Sequence, residues 1–315
     1  MTHSERILEL LARERGLDDD ELSRRLDIRP KQQVNSICRK LATERRVVRS
    51  TGPAGQICNF LPSDTVVPTG VKPPKPFVWP AQTAPPATLN KAFFALSKAQ
   101  LDKTLILIPC SKKKIKGGAA TRDCSPLTGD LPPTLGRNLA DARTAVLARA
   151  GIDGGELMPA WQRYDGEFYT AADQAPENAI KSGLHLLILS GGYGVIKACE
   201  RIGIYNTLLK LRDWPNQLLQ NVLLDYARCH KLKSVWAFVA KSGNYCKLVK
   251  KLAAGEEAGI TGVFIVSPIA NEGNQRREVP RALGEAFAAF LSGTLTQDWE
   301  SSDGLRLQFT WYHLA

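Results

Sequence analysis

Basic, hydroxyl-bearing and small residues directly follow four short apolar runs of this chain, which end at Ile108, Leu189, Ala240 and Val266. The first run is followed by Pro-Cys-Ser-Lys-Lys-Lys and the second by Ser-Gly-Gly-Tyr-Gly. Backbone amides and lysines in such loops can hold a phosphate or another anion. We therefore predict contacts to an anionic substrate from these positions: Cys110, Ser111, Lys112, Ser190, Gly191, Tyr193 and Lys241.

The thiol of Cys110 leaves three interpretations open. Nearby cations lower the pKa of a thiol, which would favour a nucleophile. No histidine is close in sequence to act as its base. A loop that contacts the substrate, or a plain basic surface turn, are the alternatives.

Two carboxylates and two phenols surround Gly166 in the stretch Arg163–Tyr169. This pattern makes Asp165 a candidate base or electrostatic stabiliser, while an ordinary helix start with a salt bridge is the alternative. Farther along, Tyr193 and Tyr205, the latter followed by Asn206, could stack on a nucleobase. A tight strand-to-helix turn would explain the glycines around Tyr193 equally well.

The loop after the fourth run supplies a hydroxyl, amides and two arginines. A loop of this type can grip a DNA phosphate, and a solvated loop is the alternative. Ser267, Asn271 and Arg276 are its predicted DNA contacts.

The elements that must position these residues follow from the alternation of apolar runs with helical patterns. A strand that is buried on both faces reads as a continuous apolar run, and His185 is the one interruption. Residues 91–315 are therefore predicted to form an α/β domain with a mostly parallel sheet flanked by helices. Ligands of such sheets bind at the carboxyl ends of the strands, where the four loops lie.

Residues 1–61 are predicted to form a small domain of three helices and a hairpin, which resembles a winged helix. In this resemblance the third helix enters the major groove and the wing follows the DNA backbone. A solvated basic face or a protein-docking module are the alternatives. The predicted DNA contacts are Lys31, Gln32, Arg39, Lys40, Arg46 and Arg49. Residues 62–90, which carry eight prolines, are predicted to be an extended linker.

Composition limits the classes of function. A net charge of +11 over 315 residues favours a polyanionic partner, first nucleic acid and second an acidic membrane surface. The chain has neither an apolar run of about 18 residues nor an apolar signal core, so we expect a cytoplasmic protein without membrane contact. Seven scattered cysteines lack the spacing of a zinc site, and we expect reduced thiols.

Two family resemblances emerge, the first between about residues 105 and 210. Tyr-Asp-Gly-Glu-Phe-Tyr at 164–169, Leu-Ser-Gly-Gly-Tyr-Gly at 189–194 and the later Tyr205 resemble the YaaA peroxide-stress family, as does the Cys-Ser-Lys-Lys-Lys opening. Asn206 stands where those relatives often carry an acidic residue. The strand ending in Ser-Pro-Ile-Ala is similar to the uracil-DNA glycosylase superfamily, but lacks that superfamily's histidine.

A winged helix joined to such a domain resembles phage-defence DNA glycosylases, which remove modified bases such as glucosylated hydroxymethylcytosine. The resemblance implies a flipped-out base and an oxocarbenium-like sugar stabilised by a carboxylate. Asp165 is the first choice for that carboxylate and Glu200 the second. Lys112, Lys241 or an amide near Gly191 would stabilise the departing base. Tyr164, Tyr193 and Tyr205 would line the pocket, and the reaction needs neither a metal nor an organic cofactor.

Three rival functions remain open at this point. The first is a non-enzymatic DNA-binding regulator or a protein of DNA damage and oxidative stress. The second is an enzyme that acts on free nucleosides. The third is a nuclease, although no acidic cluster that could bind metal is evident in the sequence.

Overall fold

The computed structural model describes residues 2–14, 16–44, 46–51, 57–62, 94–118, 124–151, 153–252, 259–269 and 278–313. The chain divides into two compact units, Met1–Phe77 and Val78–Ala315. The predicted linker at 62–90 lies outside the described residues except for Pro62.

The first unit consists of three helices and a three-stranded antiparallel sheet. Its elements are α1 (His3–Arg13), β1 (Leu17–Asp18), α2 (Asp19–Leu26), α3 (Lys31–Thr43), β2 (Val48–Thr51) and β3 (Ile57–Phe60). The sheet order is β1-β3-β2, so the predicted hairpin is present and a short strand that the sequence did not indicate extends it. Ile7, Leu11, Leu22, Val34 and Cys38 form the core of this unit.

Side chains cap the first two helices. Thr2 accepts the amide N–H of Glu5 while the Glu5 carboxylate accepts the Thr2 N–H, so Thr2 caps the start of α1. Asp18 accepts the amides of Asp20 and Glu21 at the start of α2. Acidic residues thus open this helix, where the helix dipole favours them.

The second unit is a mixed α/β fold. Its helices are α4 (Lys98–Leu101), α5 (Pro133–Ala150), α6 (Ala160–Arg163), α7 (Glu167–Ala172), α8 (Ala175–Lys181), α9 (Leu218–Cys229), α10 (Asn244–Leu252) and α11 (Val279–Leu291). Its strands are β4 (Thr104–Pro109), β5 (Asp153–Pro159), β6 (His185–Ser190), β7 (Gly194–Lys197), β8 (Arg201–Ile204), β9 (Ser234–Phe238), β10 (Gly262–Pro268) and β11 (Leu307–His313).

Six of these strands form one sheet in the order β11-β10-β9-β4-β6-β7. The four inner strands are parallel, and they are the four strands predicted from the apolar runs. The outer strands β7 and β11 are antiparallel to their neighbours. The glycine-rich turn at 191–193 therefore joins two antiparallel strands of the sheet, where a strand-to-helix turn was the alternative considered.

Helices cover both faces of the sheet, as the continuous apolar runs require. Leu105 and Leu107 of β4 pack in one cluster with α5, α9 and α10. Ile106 and Ile108 point to the other face and pack with α7, α8 and α11. Since both faces are covered, the loops at the ends of the strands are the parts of the sheet left to form a site.

The expectation of reduced thiols is wrong for two cysteines. Cys124 and Cys199 form a disulfide across 75 residues of sequence. Cys38, Cys58, Cys110, Cys229 and Cys246 are free thiols. The sequence could not reveal this pair, because only folding brings the segment before α5 against the turn between β7 and β8.

Candidate functional site

The loop after β4 is fastened to the segment after α6 by two backbone hydrogen bonds. The Ile115 N–H donates to the Arg163 carbonyl at 2.9 Å, and the Asp165 N–H donates to the Lys113 carbonyl at 3.0 Å. Lys114 therefore lies directly opposite Tyr164 in an antiparallel bridge. Directly opposed residues of such a pair place their side chains on the same face, and their neighbours on the other. Lys114 and Tyr164 thus share one face, and Lys113 and Asp165 share the opposite face.

Three buried hydroxyl groups form a closed ring beneath this loop. The Tyr164 hydroxyl donates to Ser190 Oγ at 3.2 Å, and the Tyr205 hydroxyl lies 2.7 Å from both Ser190 Oγ and Tyr164 Oη. If Ser190 donates to Tyr205 and Tyr205 to Tyr164, each hydroxyl gives and receives one hydrogen bond. Burial raises the pKa of both tyrosines well above the usual value, so the phenols keep their protons. The ring fixes the ends of three distant segments in one position.

The Lys114 side chain extends from the bridge over the ring of hydroxyl groups. Its Nζ lies 4.0 Å from the centroid of the Tyr205 ring and donates to the carbonyls of Ser111 at 3.0 Å and Lys112 at 3.4 Å. Within the described part of the chain, no carboxylate forms an ion pair with Lys114. Burial lowers the pKa of this amine, an effect that Cys110 opposes and Arg163 reinforces. Lys114 is therefore a half-buried amine whose charge no carboxylate of the described residues balances.

Cys110 connects the end of β4 with α10. Its N–H donates to the Leu189 carbonyl at 3.0 Å, and its Sγ lies 3.1 Å from the hydroxyl of Tyr245. The Tyr169 hydroxyl donates to the Pro109 carbonyl at 2.9 Å, which holds the same strand end from the other side. The thiol is half-buried beside hydroxyl groups.

Asp165 places its carboxylate beside the loop that follows β4. Its side chain is 34% exposed and forms an ion pair at 2.7 Å with Lys113, which is itself 74% exposed. The Asp165 carboxylate raises the pKa of Lys113 through this hydrogen bond. Such exposed pairs contribute little to stability, so a ligand could displace Lys113 at small cost. Next to it, Gly166 packs so closely on the Ser111 side chain that a Cβ would clash with it.

The predicted stacking role of Tyr205 does not agree with its position. Its side chain is 2% exposed, Lys114 lies over its ring, and a Cβ on Gly192 would approach the ring to 2.6 Å. Tyr164 and Ser190 are also buried, as is Gly191, whose backbone packs against Thr207 and Leu208. These four residues are therefore a support beneath the site. Tyr193 is half-buried, with its hydroxyl accepting the Gly203 N–H at 3.0 Å.

Glu200 lies in a different environment from the one predicted. Its carboxylate pairs with Arg143 of α5 at 2.7 Å and accepts the Leu127 N–H at 3.0 Å, and both charged side chains are less than a tenth exposed. Arg143 also donates to the Tyr193 and Val195 carbonyls. With its oxygens saturated and buried, Glu200 holds α5 to the β7–β8 turn and does not face a substrate.

The remaining predicted residues of the second unit are distributed between surface and interior. Lys112, Asn206 and Lys241 are exposed. Ser267 is 3% exposed and donates to the Val239 carbonyl at 2.6 Å, so its hydroxyl links β10 to the end of β9 and is not available to a DNA phosphate. Asn271 and Arg276 lie outside the described residues.

In the first unit, Arg39, Lys40 and Arg46 are exposed, as DNA contacts must be. Arg49 is not: its guanidinium is 14% exposed and pairs with Asp19 at 2.6 Å. Asn59 also donates to Asp19, at 3.0 Å, so Arg49 belongs to a buried polar network. Lys31 and Gln32 begin α3, and their side chains lie outside the described residues.

Sequence reasoning missed two residues that shape the site. Lys114 was one of three consecutive lysines that only the bridge to Tyr164 distinguishes. Arg163 is fully buried and donates to the carbonyls of Ile115, Glu156 and Ile202, which fastens the Lys114 loop to β5 and β8. Its position directly before Tyr164 was the available signal.

A cavity of about 510 Å³ lies at the opposite edge of the sheet, beside the amino ends of the strands. Its lining includes Lys103, Thr104, Lys233 and Ser234. The Lys114 loop and the hydroxyl ring beneath it lie at the carboxyl ends of the strands, so this cavity is separate from them.

Among the described residues, no helix is both long and apolar enough to cross a bilayer. In the same part of the chain, no group of three or more acidic, histidine or cysteine side chains could hold a metal ion. Comparison with family models, curated proteins and solved structures found no match to the chain.

Proposed function

We propose that this chain is a DNA N-glycosylase that excises a modified base, such as glucosylated hydroxymethylcytosine of phage DNA, and leaves an abasic site. The observation that carries the proposal is the half-buried Lys114 amine at the carboxyl edge of the sheet, supported by the closed hydroxyl ring and unbalanced by any described carboxylate. An unbalanced amine at the edge where α/β sheets bind ligands favours an electron-rich group such as a departing base.

In this proposal Lys114 and Asp165 act from the two opposite faces of the bridge. On one face, protonated Lys114 stabilises the negative charge of the departing base and can donate a proton to it. On the other face, Asp165 offers its carboxylate to the oxocarbenium-like sugar or to the attacking water, once substrate displaces Lys113. Cys110 and Ser111 line the strand end between them.

The first unit serves as the DNA-binding module in this proposal. We propose that it is a winged helix, on the basis of its three helices followed by the β2–β3 hairpin. The exposed Arg39 and Lys40 on α3 and Arg46 before the hairpin supply positive charge for DNA phosphates. The net charge of +11 favours the same partner.

The experiment compares plain duplex DNA with duplexes carrying glucosylated hydroxymethylcytosine. Excision is measured as the released base and as strand breaks after alkaline treatment. We expect breaks in the modified duplex alone. Asp165→Asn should lower the excision rate by about a hundredfold or more, since a positioned carboxylate contributes that much.

Asp173→Asn is the matched control, because Asp173 is exposed and lies just after α7, away from the Lys113 pair. It should excise at the wild-type rate. Tight equimolar DNA binding without any abasic product would contradict excision and favour the regulator. Full excision by Asp165→Asn would remove Asp165 from the mechanism.

A further inference from the structure

We propose that the Lys114 amine is a nucleophile that forms a Schiff base with the aldehyde of an abasic site in DNA. This rests on the proposed DNA substrate but not on the identity of the excised base. The chain would thereby hold its own product covalently, and would also capture abasic sites made by other enzymes.

The hydrogen bonds of Lys114 match a neutral amine. A neutral amine has two N–H donors and one lone pair, and the structure provides two carbonyl acceptors, those of Ser111 and Lys112. In the neutral form the third position is left to the lone pair. Because both acceptors belong to the same loop as Lys114, the amine is held in place without an ion pair to any carboxylate of the described residues.

Burial and the neighbouring Arg163 also favour the neutral form of the amine. Burial lowers its pKa, and the buried guanidinium of Arg163 adds to that effect. Cys110 opposes it, and the Tyr205 ring at 4.0 Å attracts the protonated form. In the proposed sequence of steps, the protonated form gives its proton to the departing base, which leaves the neutral form beside the product.

The reaction balances without a cofactor. The nitrogen lone pair attacks the aldehyde carbon and a C–N bond forms, while the carbonyl π electrons move to oxygen. That oxygen takes up one proton from solvent and one from the nitrogen, and leaves as water to give a protonated imine. Addition of water reverses these steps and releases the amine and the aldehyde.

The test uses the full chain and duplex DNA whose abasic site is prepared in advance from uracil with a separate glycosylase. Sodium cyanoborohydride reduces an imine to a stable amine, so trapped complexes remain joined in a denaturing gel. We expect a trapped complex with abasic duplex and none with intact duplex. Peptide mapping of the wild-type adduct should place the DNA remnant on Lys114.

Lys114→Arg is the decisive variant, because a guanidinium keeps the charge and the carbonyl hydrogen bonds but offers no free lone pair. We expect it to reduce trapping at least about tenfold. Its thermal midpoint and its affinity for intact duplex DNA, measured alongside, should match the wild type. Lys116→Arg, at an exposed position of the same loop, should trap as the wild type does.

The outcomes separate this inference from the proposed function. Trapping on Lys114 without any base excision would support the Schiff base and contradict the glycosylase. Base excision without trapping, trapping that persists in Lys114→Arg, or an adduct mapped to another lysine would overturn the Schiff base.

Discussion

At the scale of single residues, the polar groups of the candidate site each have only a few hydrogen-bond partners. The hydroxyls of Tyr164, Ser190 and Tyr205 are satisfied by one another, with each side chain no more than 2% exposed. Such a ring is costly to break, since a buried polar group that loses its partner keeps the desolvation penalty. Lys114 donates to two backbone carbonyls and forms no ion pair with a carboxylate of the described residues, so we expect its amine to be chemically available.

Tyr205→Phe should lower the free energy of unfolding by about 1–3 kcal/mol, because it leaves Ser190 and Tyr164 each short of one hydrogen bond. Denaturant titration measures the change. Tyr312→Phe is the control: this buried tyrosine of β11 has no hydrogen-bond partner for its hydroxyl within the described ranges, and its loss should cost less than about 0.5 kcal/mol. Equal effects of the two substitutions would show that the ring adds nothing specific.

At the scale of elements, buried arginines fix the loops around the sheet. Arg163 fastens the Lys114 loop to β5 and β8 through carbonyls. Arg143 fastens α5 to the β7–β8 turn through Glu200, next to the Cys124–Cys199 disulfide. Both arginines therefore hold segments that are far apart in sequence.

Arg143→Met should destabilise the fold by about 3–5 kcal/mol, because Glu200 would remain buried without its counter-charge. Adding Glu200→Gln to this variant should recover part of the loss. The control is Arg149→Met on the same helix, since Arg149 is 62% exposed and lies 3.9 Å from Asp213, and its loss should cost less than about 0.5 kcal/mol. Thermal and denaturant unfolding measure all three, and a small effect of Arg143→Met would refute the assignment of this pair.

At the scale of the whole molecule, the net charge of +11 sets the response to salt. Each phosphate neutralised on binding releases counterions, so the affinity for DNA falls as the salt concentration rises. Whether a cationic side chain can contribute to DNA binding depends on its exposure to solvent. Arg39 and Lys40 are exposed on α3, whereas Arg49 is paired inside the first unit.

The double variant Arg39→Gln, Lys40→Gln should weaken DNA binding and reduce the slope of log affinity against log salt by up to about 2. Arg13→Gln with Arg24→Gln removes the same charge from exposed positions on α1 and α2, and should change the slope little. Fluorescence anisotropy across a salt series measures both. An equal loss in the two variants would indicate general attraction to the charged surface, and an unchanged slope in the first would count against α3 as a DNA contact.

The sequence alone determined the four parallel strands, because a strand buried on both faces must be apolar throughout and His185 was the only exception among them. It also determined the three helices and the hairpin of the first unit and the loops at the carboxyl ends of the strands, since local periodicity and turn residues carry that information. Only the tertiary structure decided which residue of each loop faces the site. A one-residue step in an extended segment reverses the side chain, so Lys113 and Lys114 are alike in sequence but lie on opposite faces of the bridge to Tyr164 and Asp165. The burial of Glu200, Ser267, Arg49 and Tyr205, and the disulfide between Cys124 and Cys199, likewise depend on partners distant in the chain, which no local pattern of residues encodes.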